Sequence, residues 1–360
     1  MVPPLESTDV RNNYEDLSGA EIRPDDNPYE SLIAASNDDP PLQTQMQARY
    51  AVHRTTRNAQ QRAKFLASDF QEVLVDPFLL RIENPSIEPA FEDPRHCVVF
   101  WARPPEHILR LADRVQQMLK KAAPNLWLMP LYRMHMTALE ICHSRTPAEV
   151  DVVRRTMASA RTAESDENGI AALVNYPYRH RARLVRPMIS YDLAAIALSF
   201  VPAAGEPSAS PPPVAPGVTP LSGVGSSSSS SSSPDAYTYH HLRRDLFTRA
   251  RDSGVDVASR YVVPSAHITL ARFLCQDDHA TLAARHAWID ALDAINVWLE
   301  RVVWPATWQP TASTHPPSPP PPPQDRLVGE WIVGQEKGLD ARVGPLWYGQ
   351  GRTVMLGEGF

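Results

Sequence analysis

Ala266-His267-Ile268-Thr269-Leu270-Ala271-Arg272 reads as a β-strand, apolar and partly β-branched, with no glycine or proline inside it. Side chains on a strand alternate faces, so His267 and Thr269 share one side while Ile268 and Leu270 share the other. The same arrangement occurs earlier, where Met134 to Ile141 reads as a strand and His135-Met136-Thr137-Ala138-Leu139 again sets an imidazole and a hydroxyl on one face. By this alternation Arg272 points away from His267 and is structural unless the strand bulges.

Working outward, both strands sit in the same order of elements. Before and after His135 come a buried strand at Cys97 to Trp101, then an amphipathic helix at Pro105 to Lys121 with Ile108, Leu111, Val115 and Leu119 on one stripe. A short apolar segment, Leu126 to Met129, leads to the His135 strand, and Thr146-Pro147 with Glu149 starts a helix reaching about Ala160. Around His267 the order returns as a strand at Leu193 to Val201, a helix at Tyr237 to Asp252, the Ala266 to Leu274 strand and a long helix at Asp278 to Glu300. Leu327 to Val333 and Gly344 to Leu356 read as closing strands. The expectation is an α+β fold of two pseudo-symmetric β-sheet lobes with outer helices, the two motif strands meeting in a central cleft.

The remaining sequence is of another character. Residues 1–41, rich in Asp, Glu, Asn, Ser and Pro, are expected to be a disordered tail, and residues 42–92 a helical lead-in to a domain at 93–360. Proline-rich and serine-rich stretches at about 203–236 and 310–324 read as low-complexity insertions. Cys97, Cys142 and Cys275 form no even-numbered disulfide framework. The segment Met1 to Glu6 lacks the marks of a secretory signal and no apolar run reaches roughly 18 residues, so an intracellular chain, cytoplasmic or nuclear, off the membrane and monomeric, is expected. With 35 basic against 41 acidic residues, no charge excess favours gripping long nucleic acid, and a short or terminal substrate fits better.

Two imidazoles and two hydroxyls facing one cleft suit a phosphodiester. With an unperturbed pKa of about 6.5, one histidine can take a proton from water while the other gives one to the leaving oxygen. The threonine hydroxyls can donate to the non-bridging oxygens. Leu126-Trp127-Leu128-Met129-Pro130 ahead of His135-Met136-Thr137-Ala138-Leu139, together with Ala266 to Arg272, resembles the two-histidine (2H) phosphoesterase superfamily, the RNA ligase/cyclic nucleotide phosphodiesterase-like group. The second motif carries the closer likeness, and the first departs by having Ala138 where a bulkier residue is common. The resemblance spans roughly residues 95–356. It implies a bilobal α+β fold, no cofactor and no metal, and hydrolysis of 2',3'-cyclic phosphates or related RNA or nucleotide ends. By the resemblance His135 and His267 are catalytic and Thr137 and Thr269 bind the substrate phosphate. Ligation to a 2'-5' bond and silent binding of RNA ends are the alternatives.

Other residues read as structural. His53-Arg54-Thr55 and His279-Ala280-Thr281 also fit the bare motif but lie in helix-like or cap positions. His240 with His241, and His279 with His286, lack the spacing and partners of a zinc site. Arg179, His180, Arg181, Arg183 and Arg186 read as a basic loop with phosphate contact as the alternative, and Trp347 and Tyr348 as core residues or stacking platforms.

Overall fold

In the computed structural model, which describes residues 15–20, 27–36, 41–162, 165–208, 235–304 and 327–360, strand β1 (His96–Ala102) is buried from Cys97 onward. It is covered on both faces, which is why its sequence shows no polar alternation. Val98, Phe100 and Ala102 join the main core, whereas Cys97, Val99 and Trp101 turn the other way and cluster with Leu346.

Before β1 lie α1 (Glu30–Ala34), α2 (Leu42–Leu66) and α3 (Pro77–Glu83). After it come α4 (Glu106–Ala122), β2 (Trp127–Leu128), β3 (Met136–Arg145), α5 (Pro147–Ser159), the short pair β4 (Arg161–Thr162) and β5 (Ser165–Asn168), and α6 (Gly169–Arg179). The chain continues through β6 (Ala182–Tyr191), β7 (Ala195–Pro202), α7 (Tyr239–Asp252), β8 (Ala266–Arg272) and α8 (Leu282–Val302), and closes with β9 (Trp331–Val333), β10 (Leu339–Pro345) and β11 (Arg352–Leu356). The protein is α+β. Its two larger sheets, ordered β11-β10-β1-β3 and β2-β8-β7-β6-β9, are antiparallel throughout.

The halves interlock. Helix α4, which follows a strand of the first sheet, packs on α8 and on β8 of the second, while α7, which follows β7, packs on α6 and on β3 of the first. Ile108, Leu111, Ala112, Val115 and Leu119 form the buried stripe of α4, and the buried Gln116 amide donates to the carbonyls of Met129 and Leu270, each at 2.8 Å. Strand β2 hangs on the edge of β8, with Trp127 opposite Arg272 and Leu128 opposite Ala271, and the Met129 N–H donates to the Leu270 carbonyl. Thr146 and Glu149 close the capping box that starts α5.

The structure corrects three sequence readings. Residues 27–36 of the supposed disordered tail pack: Tyr29, Leu32 and Ile33 are buried, and the Tyr29 carbonyl accepts from His240 Nε2 at 3.0 Å. An i, i+3, i+4 stripe of three residues suffices to bury α1 yet is too short to stand out among polar neighbours. The ends of the first supposed insertion are likewise tied down, because Ala203 is buried and Asp235 (3% exposed) accepts from both Arg183 and the Gly205 N–H. Most of that tract, and all of 310–324, lies outside the described residues. The supposed basic loop contains β6, where Arg183 is neutralised by Asp235 and Glu330 and Arg186 by Glu206, so neither arginine is a free grip for phosphate. No described helix is long and apolar enough to cross a membrane.

Candidate active site

His135 stands just before β3, and His267 is the second residue of β8. Both strands then bulge at the same offset. Opposite β1, Thr137 pairs with Trp101 and Leu139 with Phe100, so Ala138 is the extra residue; opposite β7, Thr269 pairs with Ala197 and Ala271 with Ile196, so Leu270 is. One extra residue reverses the facing of everything after it. Glu140 and Arg272, each five positions after its histidine, thereby return to the face that carries the histidine and threonine. Arg272 consequently does not point away as strict alternation implied. Glu140, which the sequence reading did not single out, occupies the equivalent place, and its position at the same offset as Arg272 was the available signal.

A single cleft is lined by His135, Thr137, Glu140, His267, Thr269 and Arg272, with Cys97, Val99 and Trp101 of β1 contributing another part of its lining. All four sequence-derived site residues are therefore together. His135 Nδ1 is 2.8 Å from the Arg133 carbonyl, which can only accept, so the proton sits on Nδ1 and Nε2 is the nitrogen left for proton exchange. The ring stacks on Trp101 with centroids 3.7 Å apart and planes 13° from parallel. His267 is held through Nδ1 by the Ser265 hydroxyl at 2.9 Å. Thus each imidazole is fixed through Nδ1 by a group two residues before it.

Burial lowers both imidazoles, His135 to about 3 and His267 to about 4. For His135 the Arg133 carbonyl opposes that shift, and the charges of Arg103 and His267 reinforce it. For His267 the reinforcing charges are Arg57 and Arg243. Both rings are neutral near pH 7 in the unliganded protein. Among the described residues the hydroxyls of Thr137 and Thr269 have no hydrogen-bond partner, and no carboxylate pairs with Arg272, whose buried Nε has no hydrogen-bond partner. Glu140 is occupied, accepting from Arg260 Nε at 3.2 Å. The open donors thus converge on the cleft where an anion would sit.

Of the other histidines singled out in the sequence, His240, His241 and His279 serve packing or capping. His240 accepts from the Tyr50 hydroxyl at 2.9 Å and donates to the Tyr29 carbonyl, and His241 belongs to the capping box of α7. His279 lies edge-on to Phe273 and Trp288 in the core. His53 is on α2 and borders a neighbouring cavity. Tyr348 is buried with its hydroxyl 3.3 Å from Arg95, whereas Trp347 reaches the cleft and has the guanidinium carbons of Arg95 and Arg260 at 4.5 and 4.4 Å from its ring. Among the described residues no three His, Cys, Asp or Glu side chains gather as a metal-binding group. No protein-family model matches the chain, and no curated protein does.

Proposed function

We propose that the protein is a two-histidine phosphodiesterase that opens 2',3'-cyclic phosphates or related RNA and nucleotide ends without a metal. The observation that carries this reading is the convergence of His135, Thr137, His267 and Thr269 on one cleft, from two strands with the same bulge. The phosphate sits between the imidazoles. One neutral imidazole takes the proton of the attacking water, and the other, protonated when the anion is bound, gives its proton to the leaving ribose oxygen. The Thr137 and Thr269 hydroxyls donate to the non-bridging oxygens and Arg272 balances their charge. The test is turnover of the four 2',3'-cyclic mononucleotides in the presence of EDTA, with the product isomer identified. No turnover at any pH, or turnover only after a divalent ion is restored, refutes the reading.

Arg272 offers a separate check. Arg272→Met is expected to raise KM for a cyclic nucleotide by about 10- to 100-fold, the loss of charge-assisted hydrogen bonds worth roughly 1.5–3 kcal/mol. The melting temperature is expected to hold or rise, because a guanidinium without a carboxylate partner is removed. An unchanged KM removes Arg272 from the site.

A further inference from the structure

The cleft continues on its His267 side into a second cavity, sharing Tyr261, His267, Thr269 and Arg272 with it. One wall is α2, which presents His53 and Arg57 from outside the stretch that carries the family resemblance. Another is β7, where Ala195 stands opposite Arg272 and Ala197 opposite Thr269. Methyl groups at these two positions leave open the space beside the histidine strand.

The polar groups around that space have fixed roles. His53 is 4% exposed, and the Leu17 N–H donates to its Nδ1 at 3.0 Å, which places the ring proton on Nε2. Among the described residues Nε2 has no hydrogen-bond partner, and the ring lines the cavity. Burial holds this imidazole down to about 4, so it is an uncharged donor at neutral pH. The Ser199 hydroxyl donates to the Met188 carbonyl at 2.9 Å and therefore accepts from Ser190 at 2.8 Å, which leaves Ser190 to face the cavity as an acceptor. Arg57 is neutralised by Asp192 at 2.7 Å.

We infer that this second cavity is a nucleobase subsite, in which His53 donates to, and Ser190 accepts from, the edge of a base lying over Ala195 and Ala197. A base has both a donor and an acceptor on its edge and apolar faces, which matches an uncharged donor, an acceptor and two methyl groups. A second phosphate fits poorly: Arg57 is already paired with Asp192, Arg54 is committed to the carbonyls of Arg186 and Ser199, and Ser190 and the Glu15 carboxylate would face the added charge. The inference rests on the phosphodiesterase reading for its nucleotide ligand, and it places the base on the His267 side of the scissile phosphate.

The experiment is an NMR titration of the full chain with adenosine, guanosine, cytidine and uridine, none of which carries a phosphate. At least one is expected to bind, and to bind ten-fold or more weakly to Ala195→Met, which fills the space, and to His53→Leu, which removes the donor. His53→Gln, which keeps a donor in place of Nε2, should recover most of the affinity, and His135→Ala should bind the nucleoside like the wild type. If Ala195→Met melts several degrees early, the two His53 variants decide. Absence of nucleoside binding, or equal binding by wild type and His53→Leu, overturns the subsite. Nucleoside binding with this variant pattern but without phosphodiester turnover would leave the subsite standing and count against the phosphodiesterase reading alone. Turnover that proceeds equally well on ribose 2',3'-cyclic phosphate, which has no base, would do the reverse.

Discussion

Alanine at His135 or at His267 is expected to cut kcat for a 2',3'-cyclic nucleotide by about 10²- to 10⁴-fold, because in the proposed mechanism each imidazole carries one of two proton transfers. The double variant should be little slower than the worse single one, since residues acting as a unit do not contribute additively. Both side chains border the open cleft, and neither is part of the main hydrophobic core, so the far-ultraviolet circular dichroism should be unchanged. A nitrophenyl ester separates the roles. Its leaving group needs no protonation, so the variant lacking the acid should be partly rescued on it and the variant lacking the base should not. Wild-type rates in either single variant, or identical responses of both to the activated ester, would sink paired acid-base catalysis.

The pH dependence should depart from the bell near pH 6.5 that unperturbed histidines imply. With His135 at about 3 and His267 at about 4, the free protein holds both rings neutral at pH 7, and the acid must gain its proton as the anionic substrate binds. The limb of kcat/KM that reports the acid therefore lies on the acid side, and kcat/KM should fall as pH rises from about 5 to 8, close to tenfold per unit. The bound phosphate raises the acid's pKa, so the kcat profile should lie at higher pH than the kcat/KM profile. Stability runs the opposite way. His53 and His279 are buried and lowered to about 4, and His240 is lowered well below the ordinary value, chiefly by burial in each case. Their unfolded forms bind protons below about 6.5 while the folded forms do not, so their contribution is complete above that pH and is lost as pH falls toward 4. At about 1.4 kcal/mol per pKa unit, His53 and His279 each account for a few kcal/mol, and His240 acts in the same direction. Urea midpoints measured from pH 7.5 to 4 should therefore drop steeply below 6.5. A flat stability curve together with a bell-shaped kcat/KM centred near 6.5 would contradict the burial of these imidazoles.

What could be read in the sequence follows the range of the forces involved. The paired histidine and threonine positions were legible because period-2 alternation is local, and Thr146 with Glu149 because a capping box is complete within four residues. Arg272 and Glu140 were not, since a bulge is defined by which carbonyl on β1 or β7 each residue faces, and those partners lie far away in the chain. Strand β6 was hidden by Arg183, Arg186 and Pro187. The two arginines become compatible with a covered strand only because Asp235, Glu206 and Glu330 arrive from other segments. His53 looked like a chance match, and its neighbourhood depends on α2 lying against β6 and β7.

The seating of β2 on the edge of β8 limits how far the cleft between the two histidines can gape. Met129 is hydrogen-bonded to β8 at Leu270, and six residues later the chain delivers His135. Six residues reach no more than about 20 Å even when fully drawn out, and here the span is shortened by a tight turn at Leu131–Arg133. The strand bearing one imidazole is thus leashed to the strand bearing the other. A substrate too bulky for the cleft cannot be admitted by swinging the two sheets apart like a jaw unless β2 first peels away from β8. The tether caps the gap between the imidazoles, however weakly the two sheets adhere.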